Sequence, residues 1–78
     1  MARSAPTDPS LGAALRQLRE ARDLSQESVS HAAEITLGAY GKIERNEVAP
    51  AWATVRSIAQ KGFGITMKEL GEAVDRLD

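Results

Sequence analysis

The sequence has 78 residues, of which 42% are hydrophobic and none is cysteine, and its ten basic and eleven acidic residues give a net charge of −1. This length predicts one small domain, and the hydrophobic content excludes a disordered chain. The lack of cysteine excludes disulfides and thiolate metal sites. No apolar run reaches the roughly 20 residues of a membrane helix, and no apolar signal region precedes the domain. We therefore expect a cytoplasmic protein.

The N-terminal part of the chain divides into a tail and a helix. Residues 1–9 contain two prolines and no hydrophobic periodicity, which predicts a flexible tail ahead of one domain that spans residues 10–78. Ser10 is a suitable N-cap for a first helix that ends near Arg22. The apolar residues of this helix follow the helical spacing and are Leu11, Leu15 and Leu18.

Residues 25–45 predict two short helices joined by a tight turn. Ser25 and Thr36 are typical N-cap residues, and the helix that Thr36 starts runs to about Arg45. In the second helix the helical repeat directs Val29, Ala32 and Ala33 inward. In the third helix Tyr40 and Ile43 point inward, with a hydrated hydroxyl expected for Tyr40. The outward face of the third helix carries Leu37, Gly38, Gly41, Lys42 and Arg45.

A fourth helix is predicted after the loop that ends at Pro50, because proline suits the first turn of a helix. It is expected to span about residues 51–60 and to end at the glycine-rich residues 61–64. Its predicted buried stripe consists of Trp52, Val55, Ile58 and Ala59.

A capping box, formed by Thr66 and Glu69, predicts a fifth helix over about residues 66–77. Its apolar residues form a narrow seam of Met67, Leu70, Val74 and Leu77. Such a seam packs against another helix, either within the domain or on a second copy of the chain as a dimer face.

No segment alternates with the period of a β-strand, so the prediction is an all-α, compact five-helix bundle. The assembled features resemble the lambda-repressor-like helix-turn-helix family, also called the Xre family. The resemblance covers about residues 11–70 and is carried by four segments in order, LGAALRQLREARDLSQESV, ITLGAYGKIER, PAWATVRSIA and GITMKEL.

The resemblance implies a sequence-specific transcriptional regulator that binds double-stranded DNA, with residues 36–45 as a recognition helix in the major groove. The positions that would face bases are Leu37, Gly38, Gly41 and Lys42. The positions assigned to phosphates are Gln26, Thr36 and Arg45. The family also pairs an arginine with a glutamate, here Arg19 and Glu44. A homodimer would place two recognition helices in successive major grooves, about 34 Å apart.

The chain departs from the family pattern at several positions. Glu34 occupies a turn position where the family usually has glycine, and one residue more than usual lies between Ile58-Ala59 and Gly64. Residues 66–78 hold two basic and four acidic residues, so the remainder has only a slight basic surplus. Leu37 is apolar and is expected either to be half-buried or to face a base. This apolar residue and the small basic surplus would also suit an antitoxin-like or regulator-sequestering module that binds a protein partner.

Catalysis has no support in the sequence. The chain has one histidine, no cysteine, and no paired nucleophile and base at a suitable spacing. We therefore expect a protein that is not an enzyme and that has no cofactor and no metal site.

Overall fold

Five helices make up the part of the chain that the structure describes. This structure is a computed structural model that describes residues 9–77, with the backbone alone at Pro9. The tail predicted for residues 1–9 therefore lies outside the described residues, except for Pro9, which is helical. The helices are α1 (Pro9–Ala21), α2 (Gln26–Ala33), α3 (Leu37–Glu44), α4 (Trp52–Ser57, continued by a π-helical segment, Ile58–Phe63) and α5 (Met67–Asp75).

The all-α, compact bundle predicted from the sequence is confirmed. The described residues contain no strand, and the radius of gyration is 11.6 Å, close to the roughly 11.5 Å expected for a compact chain of this length. Within residues 9–77, no helix has both the length and the apolar character needed to cross a membrane.

Side-chain caps determine where three of the helices begin. The hydroxyls of Ser25, Thr36 and Thr66 each accept a hydrogen bond of 3.0 Å from the backbone N–H three residues later. At α5 the Glu69 carboxylate also accepts from the Thr66 backbone N–H, which completes the predicted capping box. Ser10, in contrast, lies inside the first turn of α1 and not at its N-cap, because α1 already begins at Pro9.

The turns at the ends of α2 and α3 both use a left-handed backbone conformation. Glu34 has φ 65° and Asn46 has φ 61°. Asparagine adopts this conformation readily, whereas for glutamate it is strained by roughly 1–2 kcal/mol. Glu34, at the turn position where the resemblance implies glycine, thus has a positive φ, and this turn stores strain that a glycine would relieve.

A π-helical turn forms the segment between Ile58-Ala59 and Gly64, where the family resemblance implies one residue fewer. The fourth helix does not end near residue 60 as predicted but continues to Phe63 and stops at Gly64, which has φ 69°. A π-turn accommodates one residue more than an α-turn, so this turn has room for the additional residue within the helix. The consequence is that Phe63 is buried in the core, a position that the sequence analysis missed.

The core lies where α2 packs against the π-helical segment and where α1 packs against α3 and α5. Its most buried large side chains are Leu15, Val29, Tyr40 and Ile58. Two predicted core residues are exposed. Ala32 faces solvent, because the inward face of α2 is formed instead by Val29, Ser30 and Ala33. Trp52, at the start of α4, is 68% exposed, because no described element covers it.

The apolar seam of α5 is only partly used within the domain. Leu70 is buried against the core, whereas Met67 and Val74 are half-buried at its edge. Leu77 is also half-buried but follows the end of α5 at Asp75, so the helix is shorter than predicted. The seam therefore packs in part within the domain, as one of the two alternatives predicted, and leaves some apolar surface exposed; the dimer face stays a prediction.

Candidate nucleic-acid interface

The two sides of α3 differ sharply in exposure. Tyr40, Ile43 and Glu44 are buried, whereas Leu37 is 48% exposed and Gly38 and Lys42 lie at the surface. Exposed Leu37 is consistent with an outward-facing contact and not with a core position. The helix therefore presents one edge to solvent, as the helical repeat predicted, while its other side is fixed by the fold.

Gly41 is an exception on this edge, because it is buried. A Cβ atom built at Gly41 would lie 2.9 Å from Arg45 Nη1 and 3.7 Å from Gln26 Oε1. The glycine thus lets two long polar side chains close over the helix backbone. The prediction that Gly41 is exposed is therefore wrong, because helical periodicity does not register side chains that fold back over a glycine.

The Glu44 carboxylate anchors the inner side of α3 to both neighbouring helices. It accepts hydrogen bonds from Arg19 Nε at 2.7 Å, Gln26 Nε2 at 2.9 Å and the Tyr40 hydroxyl at 2.6 Å. Only 3% of its side chain is exposed. The predicted Arg19–Glu44 pairing is present, and the Tyr40 hydroxyl, expected to be hydrated, is a donor in this network.

The pKa values of this network reflect its burial and its charge pairing. Burial opposes ionisation of Glu44, but hydrogen bonds from Arg19, Tyr40 and Gln26 outweigh it and hold the pKa of the Glu44 carboxyl below its ordinary value. Burial and the hydrogen bond to Glu44 raise the pKa of Tyr40. At neutral pH the Glu44 carboxylate is therefore ionised and accepts hydrogen bonds from the neutral Tyr40 and Gln26 and from the cationic Arg19.

Two further contacts link the two ends of α1 to neighbouring parts of the chain. Arg19 Nη1 donates to the Leu24 carbonyl at 2.9 Å, which ties the turn after α1 into the network. At the other end of α1, the Gly12 backbone N–H donates to Asn46 Oδ1 at 3.2 Å. A Cβ atom at Gly12 would lie 2.5 Å from the Glu44 carbonyl oxygen, so only glycine permits this close approach.

Three side chains assigned to phosphates already have partners in this structure. Gln26 donates to Glu44, Thr36 accepts the cap hydrogen bond of α3, and Arg45 Nε donates to Glu47 Oε2 at 2.6 Å. The Lys42 amino group, in contrast, makes no hydrogen bond or salt bridge with residues 9–77. Lys42 is therefore the cation of this edge that is most available to a ligand.

A second surface feature lies away from α3. An open, mainly apolar groove of about 390 Å³ runs between the start of α1, α4 and α5, and it is lined by Leu11, Trp52, Val55, Met67, Leu70, Gly71, Val74 and Asp75. The groove joins most of the α5 seam to the exposed Trp52 ring. The seam is predictable from helical spacing, but its junction with Trp52 is not, because the junction depends on how α4 and α5 pack.

Known proteins resemble this chain in sequence pattern and in fold. The family model described as a helix-turn-helix domain matches residues 10–66. A crystal structure of a mutant of the restriction-modification controller protein C.Esp1396I superposes with a TM-score of 0.80 and 18% sequence identity, covering 86% of each chain. No curated protein matches the sequence. These similarities confirm the helix-turn-helix assignment and the fold.

Proposed function

The chain belongs to the helix-turn-helix domain family, and from that premise we propose that it is a sequence-specific DNA-binding transcriptional regulator. In this proposal α3 enters the major groove, and α2 crosses above the DNA backbone. The structurally similar protein is by its name a controller of a restriction-modification system, and a regulatory role for this chain agrees with that description.

The observation that carries the proposal is the division of α3 into a braced side and an exposed edge. Glu44 ties the inner side to α1 and α2, so the helix can be presented to DNA without reorganisation. The exposed edge offers Lys42, which can donate to guanine O6 and N7, and Leu37, which can contact a thymine methyl group. With a single long base-reading side chain, each half-site supplies modest specificity, and dimerisation or DNA shape contributes the rest.

The phosphate contacts require small rearrangements of side chains that are already paired. Gln26 lies at the first turn of α2, where backbone N–H groups favour an anion, and its second amide hydrogen is available for a phosphate oxygen. Thr36 still has its hydroxyl hydrogen to donate. Arg45 is exposed and can exchange its carboxylate partner for a phosphate.

Retardation of genomic DNA fragments in a gel, at low salt and over a range of protein concentrations, tests this proposal. We expect the logarithm of the binding constant to fall linearly with the logarithm of the salt concentration. Lys42→Ala is expected to relax discrimination between fragments, because it removes a base contact, and Gln26→Ala to weaken binding to all of them. A complete lack of retardation at micromolar protein and low salt would contradict DNA binding.

We further propose that the regulator is a homodimer that associates through the apolar groove. The groove contains the half-buried part of the α5 seam, and the exposed Trp52 ring at its edge is an aromatic side chain of the kind that dominates interfaces. Sedimentation equilibrium of Trp52→Glu tests this, with Val48→Glu as the control because Val48 is exposed outside the groove. Dissociation of the Trp52 variant alone is expected; a dimer retained by it would exclude this interface.

A protein-interaction module with little DNA affinity is the second candidate, and two observations favour it. The exposed edge of α3 carries an apolar Leu37, and Arg45 is neutralised by Glu47. Capture of a stoichiometric protein partner, with affinity unchanged by Lys42→Ala and Gln26→Ala, would support this candidate. Loss of DNA retardation in both variants, with the fold intact, would exclude it in favour of DNA binding.

A further inference from the structure

The loop after α3 places a carboxylate directly against a cation of the candidate interface. Glu47 Oε2 lies 2.6 Å from Arg45 Nε, and the two side chains are 49% and 56% exposed. The pair is therefore at the surface, where an ion pair contributes little to stability. It also neutralises part of the positive charge on the edge of α3.

The backbone holds Glu47 beside α3. The Glu47 N–H donates to the Lys42 carbonyl at 2.8 Å, and the Arg45 guanidinium reaches back over Gly41. The hydrogen bond from Arg45 lowers the pKa of the Glu47 carboxyl, and the charge of Lys42 lowers it further. Glu47 is thus a negative charge next to both cations of the outward edge, Lys42 and Arg45.

This inference rests on the DNA-binding function proposed above. We propose that Glu47 is an electrostatic brake on DNA binding, because its carboxylate competes with a DNA phosphate for the Arg45 guanidinium. Binding then requires Arg45 to exchange one anion for another, which lowers the net gain from that contact. The brake limits non-specific affinity in particular, since phosphate contacts are the main source of such affinity.

The test compares Glu47→Gln with Glu72→Gln, which removes the same charge from the exposed part of α5, outside the interface. Binding to a short fluorescent duplex of arbitrary sequence is measured by anisotropy over a salt series. Glu47→Gln is expected to bind about fivefold more tightly than the wild type at low salt. Its log–log salt slope is expected to steepen by about 0.9. In the wild type, the cation that the freed Glu47 carboxylate takes up cancels the cation released when Arg45 contacts a phosphate. Glu72→Gln is expected to give a smaller gain and an unchanged slope.

A double-mutant cycle with Arg45→Ala separates competition for Arg45 from general repulsion of DNA. If Glu47 acts through Arg45, the gain from Glu47→Gln disappears in the Arg45→Ala background. Equal gains in both backgrounds, or equal behaviour of Glu47→Gln and Glu72→Gln, would overturn the brake while leaving DNA binding intact. A complete lack of DNA binding by the wild type and by every variant would overturn the proposed function, and the brake with it.

Discussion

Arg19 and Glu44 lie 25 positions apart in the sequence, yet Arg19 Nε and Glu44 Oε2 are 2.7 Å apart in the folded chain. The pair joins α1 to α3, and Arg19 also donates to the Leu24 carbonyl in the turn before α2. The contact therefore helps to fix the orientation of α3 relative to α1, together with the core packing of Tyr40 and Ile43.

Loss of Arg19 is expected to destabilise the protein strongly. Arg19→Met leaves the Glu44 carboxylate buried without its cation, and we expect the free energy of unfolding to fall by about 3 kcal/mol. Arg16→Met is the control, because the Arg16–Glu20 pair is exposed at both partners and is worth under about 1 kcal/mol. Urea denaturation at neutral pH measures both; equal losses would show that the buried pair has no special role.

Stability is expected to decrease in acid because of Glu44. Its folded pKa lies below the ordinary value of 4.5, so the unfolded chain takes up the proton first as the pH falls. The contribution of Glu44 is therefore fully present above about 4.5 and is lost as the pH falls through the folded pKa. Denaturation of the wild type and of Glu44→Gln over this range tests the sign: the variant should show the weaker pH dependence, and equal curves would contradict it.

Replacing Glu34 by glycine is expected to stabilise the protein. Glu34→Gly removes the left-handed strain at φ 65°, and we expect a net gain of about 0.5–1 kcal/mol after the larger entropy of glycine in the unfolded chain is included. Glu34→Ala is the control, since it also removes the salt bridge to Lys61 but keeps the strain. Thermal denaturation compares them, and a gain in the alanine variant as large as in the glycine variant would point away from backbone strain.

Gly12 and Gly71 are expected to respond in opposite directions to alanine. In Gly12→Ala the new methyl group would lie 2.5 Å from backbone and side-chain oxygens, whereas at Gly71 nothing lies within 4 Å. We expect Gly12→Ala to cost about 1–3 kcal/mol by separating α1 from α3. Gly71→Ala should gain about 0.5–1 kcal/mol of helix stability. Urea denaturation of the two variants checks this, and a neutral Gly12→Ala would disprove the close approach.

Local signals in the sequence were sufficient to locate most helix starts. The caps at Ser25, Thr36 and Thr66 were predicted because an N-cap acts on a backbone N–H only three residues away. The Arg19–Glu44 pair was also predicted, but through the family resemblance, since no local pattern relates residues so distant in sequence. Its geometry and its additional donors, Gln26 and Tyr40, became visible only in the folded chain.

The residues whose burial was not predicted correctly share one physical cause. Helical periodicity indicates the side of a helix on which a residue lies, but not which parts of the chain pack over it. Trp52 has the spacing of a buried residue, but no described part of the chain packs over it. Gly41 lies on the outward edge of α3, but Arg45 and Gln26 fold across it. The π-helical turn that buries Phe63 could not be predicted from the two glycines nearby, because those residues favour a break over a wider turn.

The most direct test of the central claim, that the exposed edge of α3 contacts DNA, is an NMR titration of the isotope-labelled protein with duplex DNA at low salt. We expect the largest amide shift changes at Leu37, Gly38 and Lys42, with further changes at the first turn of α2. Changes confined to the groove around Trp52 and Gly71, or no changes at saturating DNA, would contradict it.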